Sequence, residues 1–274
     1  MQSINTNVGA MIALQNLNAT SSALQKTQQI ISTGLKVASA KDDGATYAIA
    51  QSQRATVSSL DAVKDSLNRG SSVVDVAMSA GDSITDLLTQ MKSKALAASD
   101  TSLDTTSRAA MATDFNSLRD QITKTLTNAS FNGINILDGT NSSISALANA
   151  SGTSTLTVQG QNMSLGGSIV TVGASSSFAS ATSASNLLTT LDSSINNVSA
   201  ALAKLGTSST ALSNHLTFVG KLQDSINTGI GNLVDADMAQ ESAKLQALQT
   251  KQQLGVQALS IANQSTSTVL SLFR

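Results

Sequence analysis

Residues 4–35 read INTNVGAMIALQNLNATSSALQKTQQIISTGL and carry a regular pattern of apolar residues. These apolar residues recur in steps close to alternating three and four, with polar residues between them: Ile4, Val8, Met11, Leu14, Leu17, Leu24, Ile31 and Leu35. This spacing predicts an amphipathic helix with one narrow apolar seam of the coiled-coil type. Most helical stability comes from tertiary packing, and an isolated helix would leave this seam in water. The amino-terminal helix therefore needs a partner.

The carboxyl-terminal region repeats the pattern with a second seam: Met238, Leu245, Leu248, Leu259, Ala262, Val269 and Phe273. Gln252, Gly255 and Thr266 interrupt it. Because each terminal helix has a narrow seam and a polar back, we expect the two helices to pair with each other and with other copies of the chain. The two seams together are the predicted self-assembly seam.

Composition favours long helices. The chain has 274 residues, no proline, and only 2% aromatic residues, so the commonest helix breaker is absent and the apolar residues are mainly aliphatic. Lys and Arg total 16 against 17 for Asp and Glu, without a basic cluster, which argues against a nucleic-acid partner. No apolar run is long enough to span a bilayer, so we expect no membrane insertion. The amino terminus lacks the pattern of a secretory signal, so export would need a dedicated route.

Three further helical patterns fill the interior. They run from Val57 to Ala95, from Met111 to Leu126 and from Leu187 to Leu233. We therefore predict a mainly α fold, an elongated and discontinuous helical bundle or coiled coil formed by the amino- and carboxyl-terminal helices.

The helical period breaks between about residues 131 and 185, where Ser, Thr and Gly dominate. Thr155–Val158 and Ser168–Val172 have β-strand composition, and Gly166-Gly167 has the composition of a two-residue hairpin turn. We predict a small β-hairpin-rich central segment here.

The titratable residues form no catalytic set. His215 is the single histidine and lies within the third interior helical pattern, so we predict a structural role. Asp42-Asp43 and Asp235-Ala236-Asp237 are interpreted as helix caps, because Ser39 with Asp42 and Asp237 with Gln240 have capping-box spacing. The chain has no cysteine, which excludes thiolate sites. We predict no catalytic residue, no metal ligand, no cofactor and no enzyme activity.

Several motifs, in the same order at both ends of the chain, resemble those of bacterial flagellins. In the amino-terminal half they are Met1–Asn7 before an Ala/Leu-rich helix, Ser32–Val37 with Ser39–Asp43, and Phe131–Gly139. In the carboxyl-terminal part they are Asp235–Ser242, Gln252–Gln264 and Leu270–Arg274. The resemblance covers roughly residues 1–140 and 186–274.

This resemblance implies a structural subunit that self-assembles into the bacterial flagellar filament, the propeller of motility. It implies a core domain of terminal coiled-coil helices at residues 1–40 and 235–274 and a helical rod at residues 41–140 and 186–234. Residues 141–185 would form a short Ser/Thr/Gly-rich surface segment where larger flagellins insert outer domains. The implied partners are other flagellin subunits, hook-associated junction and cap proteins, and an export chaperone that covers the carboxyl-terminal helix. The implied location is extracellular, after export unfolded through the flagellar type III apparatus.

One departure from the family concerns recognition by the host. The family segment read by the flagellin-sensing toll-like receptor carries an arginine where this chain has Gln90. A planar donor fork is replaced by a neutral amide, which predicts weak activation of that receptor.

Two other interpretations are a hook–filament junction protein, which shares the terminal helices, and a secreted coiled-coil adhesin or effector. Seeded polymerisation of the purified protein alone separates the last from a filament subunit.

Overall fold

The computed structural model describes residues 6–271, with side chains through residue 264. Its helices and strands follow one another in this order: α1 (Val8–Thr33), α2 (Gly44–Ala98), α3 (Thr105–Asn128), β1 (Ser143–Leu147), β2 (Thr155–Gln159), α4 (Ala181–Val234) and α5 (Met238–Ser271). The first and last helices pack against each other. The prediction of a mainly α fold, with paired terminal helices and a small central hairpin, is confirmed. Within the described part, no helix is long and apolar enough to cross a membrane.

The start of α2 differs from the prediction that Ser39 and Asp42 form its capping box. Asp42 Oδ2 accepts hydrogen bonds from the backbone N–H and the hydroxyl of Ser39, both at 3.1 Å, in the turn that precedes the helix. Asp43 is the N-cap instead, since its Oδ1 accepts from the backbone N–H groups of Ala45 and Thr46 at 3.0 and 3.1 Å. Residues 39–42 form a turn before the helix. Because Asp43 and not Ser39 caps α2, the capping-box prediction is wrong for this helix.

The cap predicted for α5 is confirmed. Asp237 Oδ1 accepts from the backbone N–H groups of Ala239 and Gln240 at 2.9 and 3.1 Å. Next to this cap, the connection that leads into α5 is bonded to the connection that follows α1. Lys36 N–H donates to Val234 O at 2.8 Å, and Ala236 N–H donates to Gly34 O at 2.9 Å. These backbone bonds tie the two connections together.

Residues 56–224 form one of two compact units. The apolar stripes of its three helices are buried along the predicted positions: Leu60, Val63, Leu67, Val74, Ile84, Leu88, Met91, Phe115, Ile122, Leu191, Val198, Leu205, Leu212 and Val219. Helices α2 and α4 approach closely at Gly81, where a Cβ would lie 2.6 Å from Leu202 Cδ2. This unit therefore has a complete core of its own.

The hairpin of this unit contains the strand predicted at Thr155–Val158, which is β2, but its partner is not the segment predicted. Strands β1 and β2 pair antiparallel, with Ser143 opposite Gln159 and Leu147 opposite Thr155. The prediction of a strand at residues 168–172 is wrong, because Thr171 donates its N–H to Ser194 Oγ of α4 at 3.0 Å. Val170 and Val172 of that segment are buried but do not pair with a strand. Their β-branched composition thus reflects burial.

Two side chains attach the hairpin to the long helices. Leu147 N–H donates to Ser66 Oγ of α2 at 3.0 Å. His215 Nε2 lies 2.8 Å from Ala148 O, so this ring nitrogen carries the proton and donates it to the carbonyl. His215 therefore has the structural role predicted for it, as an anchor for the chain that leaves β1.

Candidate assembly interface

The described residues up to 55 and from 225 onwards form the second compact unit, built on the α1/α5 pair. The start of α1 lies beside Ala262 near the far end of α5, and Leu17 lies beside Gly255. The two helices thus run antiparallel. Within one chain, each terminal helix therefore packs against the other terminal helix, as the sequence predicts.

Asn7 begins this pair with two hydrogen bonds of different kinds. Its Oδ1 accepts from Ala10 N–H at 3.0 Å, which makes it the N-cap of α1. Its Nδ2 donates to Ala262 O of α5 at 2.8 Å. One side chain therefore starts a helix and fixes it to a partner 255 residues along the chain. An asparagine ahead of an apolar period signals the cap, but nothing in the local sequence signals the second bond.

Gly255, which interrupts the predicted seam, lies where the helices approach closely. A Cβ at this position would lie 3.2 Å from Leu17 Cδ1, a contact that forces the leucine to shift. Beside this point a groove of about 470 Å³ opens between the helices, and both helices line it: Asn16, Leu17, Ala19, Thr20, Ala23, Leu248, Lys251 and Gly255. The interruption is thus a site of close helix packing.

The predicted self-assembly seam is only partly covered within one chain. Its half-buried members are Leu17, Leu24, Ile31, Leu35, Leu245, Leu248, Leu259 and Ala262. Its exposed members are Val8, Met11, Leu14 and Met238. Ile4 and Phe273 lie outside the described residues, and the side chain of Val269 is likewise not described. No described seam residue is fully buried.

Further large apolar residues of the two helices are exposed although the seam pattern does not include them. We call all the exposed large apolar residues of α1 and α5, whether inside or outside the seam, the apolar set: Val8, Met11, Ile12, Leu14, Met238, Leu254, Val256 and Ile261. Helical geometry of about 100° per residue places Ile261 within about 20° of Leu254 and Val256 about 160° from Leu254. The apolar set therefore occupies more than one side of α5.

The helix pair lacks a sufficient core of its own. Thr27 and Ile30 are the buried residues of α1, and none of the α5 side chains described through residue 264 is buried. Two buried oxygen atoms in this unit, Thr27 Oγ1 and Glu241 Oε2, have no hydrogen-bond partner among the residues that the structure describes. Buried polar atoms without partners destabilise a fold. The exposed apolar side chains and the small number of buried ones indicate a surface that another molecule covers.

The acidic residues of this unit act as hydrogen-bond acceptors. The Thr46 hydroxyl, 2.7 Å from Asp43 Oδ2, lowers the pKa of that carboxyl, and the backbone N–H of Thr46 lowers it further. The Ser39 hydroxyl is the main cause that lowers the pKa of Asp42. Over the described residues, no group of three or more metal-ligating side chains lies together. The carboxylates of Asp42 and Asp43 thus accept hydrogen bonds in the turn and at the helix cap.

Two family models match the two ends of the chain. The family model for the bacterial flagellin N-terminal helical region matches residues 4–142, and that for the C-terminal helical region matches residues 188–273. Flagellin FljM of Caulobacter vibrioides is 61% identical over 274 residues, covering 100% of this chain and 99% of that protein.

Two solved structures share the fold. A putative flagellar hook-associated protein from Vibrio parahaemolyticus has a TM-score of 0.60 at 15% identity, covering 71% of this chain and 100% of that one. Bacillus cereus flagellin has a TM-score of 0.50 at 22% identity, covering 56% and 88%. At these identities the likeness concerns the fold alone.

Proposed function

The chain belongs to the bacterial flagellin family, whose members polymerise into the extracellular flagellar filament, and we propose that its apolar set is the surface through which it does so. As a flagellin, it is a structural subunit of the filament, and the hook-junction interpretation is not favoured. The observation that carries the proposal is the α1/α5 pair, in which eight large apolar side chains remain exposed: Val8, Met11, Ile12, Leu14, Met238, Leu254, Val256 and Ile261.

Burial of these side chains would drive assembly. Full burial of one large apolar side chain contributes roughly 1.5 to 3 kcal/mol. Association costs on the order of 4 to 15 kcal/mol in lost translational and rotational freedom. A single side chain is therefore insufficient, whereas several of them buried together exceed the cost. Docking is then favoured by concentration, as for any partner that binds only the native state.

The distribution of the apolar set favours an open polymer over a closed dimer. Leu254 and Val256 lie about 160° apart around α5, so one flat partner cannot cover both. Contacts between unlike surfaces that do not close into a ring propagate as a helix of subunits. A subunit contacted on more than one side by its neighbours is the arrangement that a filament core requires.

The first test places a charge within the apolar set and, as a control, at an equally exposed apolar residue elsewhere. Ile261 is 67% exposed on α5, and Leu96 is 59% exposed on α2 in the other unit. We expect Ile261→Glu to abolish seeded polymerisation, because a carboxylate would be buried without a partner. Leu96→Glu should polymerise as the unsubstituted chain does. Filaments formed by Ile261→Glu would contradict the proposal.

A second test removes the end of α5. Deletion of residues 255–274 should abolish filaments seen by electron microscopy and leave residues 56–224 folded, because that unit has its own buried core. Circular dichroism and limited proteolysis report whether this unit survives. Filaments formed by the truncated chain would refute the mechanism.

We also propose the finer division of the chain that the family resemblance implies. Residues 1–40 and 235–274 would form the filament core, residues 41–140 and 186–234 the rod, and residues 141–185 a surface segment. The backbone bonds between residues 34–37 and 234–236 support the inner boundary, since they tie both connections at that point. Protease cleavage of assembled filaments within residues 141–185, with the core residues protected, would support this assignment.

Secretion and the remaining partners are proposed on the same ground. We propose export through the flagellar type III apparatus, no enzyme activity, binding to hook-associated junction and cap proteins, and a chaperone on α5 before export. Exposure of Leu254, Val256 and Ile261 supports a chaperone, because an unassembled chain would otherwise present them to water. Loss of the chain from the culture medium in a strain without the export apparatus is the expected result.

Weak activation of the flagellin-sensing receptor is a separate proposal. Gln90 is exposed on α2, between the buried residues Leu88 and Met91, so its amide faces outward from the core. Gln90→Arg should raise the signal in receptor reporter cells, with Gln121→Arg, an exposed glutamine of α3, as the matched control. No gain from Gln90→Arg would count against the alignment on which this proposal rests.

A further inference from the structure

Methionine carries all of the oxidisable sulfur of this chain, which has seven methionines and no cysteine. Four of them lie in the unit of residues 56–224 and are buried or half-buried: Met78, Met91, Met111 and Met163. Met11 and Met238, in contrast, are 62% and 42% exposed. Both belong to the apolar set, at the amino-terminal part of α1 and the first residue of α5. The exposed methionines of the described residues thus both lie in the α1/α5 unit.

Oxidation changes such a side chain from apolar to polar. A peroxide transfers one oxygen atom to the thioether Sδ, the O–O bond breaks, an S–O bond forms, and water or an alcohol leaves. The sulfur loses two electrons to the peroxide. The resulting sulfoxide is polar and chiral, and burial of a polar group without a hydrogen-bond partner is unfavourable. Methionine sulfoxide reductases reverse the reaction.

We propose that Met11 and Met238 are oxidation sites that make assembly of the free subunit reversibly sensitive to peroxides. The inference rests on the proposed function, which buries the apolar set between subunits. Two consequences follow. The free subunit should be oxidised at Met11 and Met238 before the four methionines of the other unit, and the assembled filament should protect Met11 and Met238.

The experiment uses hydrogen peroxide on the full chain, as monomer and as filament. Fragment-ion mass spectrometry assigns each added oxygen to a residue, which separates Met11 from Met1 in the same peptide. We expect Met11 and Met238 of the monomer to be oxidised at least fivefold faster than Met91 and Met163. The critical concentration for seeded polymerisation of the oxidised monomer should rise by about tenfold or more.

Leucine variants identify the responsible residues, because leucine replaces methionine at nearly constant volume and is not oxidised. The double variant Met11→Leu/Met238→Leu should polymerise normally and change less than twofold after peroxide treatment. Met111→Leu, which removes a half-buried methionine of the other unit, should remain as sensitive as the unsubstituted chain. Equal inhibition of the double variant and the unsubstituted chain would overturn the inference.

Enzymatic reduction supplies a second readout that needs no substitution. Treatment of the oxidised monomer with methionine sulfoxide reductases should remove the oxygen from Met11 and Met238 and restore polymerisation. Normal polymerisation of a monomer oxidised at both residues, or no recovery after their reduction, would also overturn the inference. Failure of the untreated chain to polymerise would instead contradict the proposed function, so the two failures are distinguishable.

Discussion

The hydrogen bonds of Asn7 make it possible to separate helix capping from the attachment of α1 to α5. Asn7→Ala removes both the acceptor for Ala10 N–H and the donor to Ala262 O. Asn7→Ser keeps a capping oxygen but is too short to maintain the bond to Ala262. Asn7→Asp keeps the cap as well, but a carboxylate cannot donate, and it would place an oxygen against the Ala262 carbonyl. The three variants thus divide one side chain into its two functions.

The expected magnitudes follow from the two bonds. Loss of an N-cap costs about 1 kcal/mol, and loss of one intramolecular hydrogen bond costs about another 1 kcal/mol. Asn7→Ser should therefore lower the opening free energy of the α1/α5 contact by about 1 kcal/mol, and Asn7→Ala should lower it by about 2 kcal/mol. A change of 1 kcal/mol corresponds to roughly fivefold in the fraction of open molecules.

Hydrogen exchange of the full-length monomer, followed by mass spectrometry, measures both effects. Asn7→Ser and Asn7→Asp should exchange about fivefold faster at residues 255–264 and remain unchanged in the first turn of α1. Asn7→Ala should exchange faster in both segments. If Asn7→Ser leaves exchange at residues 255–264 unaltered, the bond to Ala262 does not hold the helices together, and the reasoning fails.

Three further predictions concern stability. Arg108 is buried and donates to the carbonyls of Ala98, Asp100 and Leu103 at 3.0, 2.8 and 3.0 Å. Arg108→Met should therefore lower the free energy of unfolding, measured by denaturant titration, by about 2 to 4 kcal/mol. A loss below about 1 kcal/mol would contradict this role. Gly206→Ala should raise the free energy of unfolding by about 0.5 to 1 kcal/mol, because nothing lies within 4 Å of the added Cβ on α4. Gly81→Ala should lower it, because the added Cβ would clash with Leu202. Equal effects of the two substitutions would refute the packing argument. The hydroxyl of Thr46 lowers the pKa of Asp43 on folding. The Asp43 carboxylate therefore stabilises the fold above its ordinary pKa of 3.8, and this stabilisation is lost as the pH falls through the lowered pKa. Asp43→Asn should lack this part of the acid sensitivity when thermal unfolding is measured across that pH range.

The long helices could be predicted from the sequence because the evidence for them is local. A residue such as Leu88 or Met91 recurs at helical spacing and is buried, whichever element covers it. Absence of proline allows α2 and α4 to continue without a break for 55 and 54 residues. The period records which side of a helix is covered. It does not record what covers it, which is why helix positions were predicted better than contacts between elements.

The hairpin and the cap of α2 depended on competition among neighbours. Residues 168–172 have better strand composition than residues 143–147, yet the latter pair with β2, because pairing depends on a non-local register. At the start of α2, Ser39, Asp42 and Asp43 all have capping side chains. The turn at residues 39–42 uses the first two, which leaves Asp43 to begin the helix. Spacing alone does not resolve such a choice.

Only part of the candidate interface could be predicted from the sequence, because a seam pattern describes contact with one partner. It selects Leu17 and Leu248, which line the groove between α1 and α5, and it passes over Ile12, Leu254 and Ile261. A subunit that meets several neighbours needs apolar residues on more than one side, so residues outside the seam carry the additional information. Apolar side chains that violate the period of a polar helix therefore indicate a second interface, provided that the structure leaves them uncovered. In α5 they are uncovered, and the helix has no buried side chain among those described, so the missing core must come from other copies of the chain.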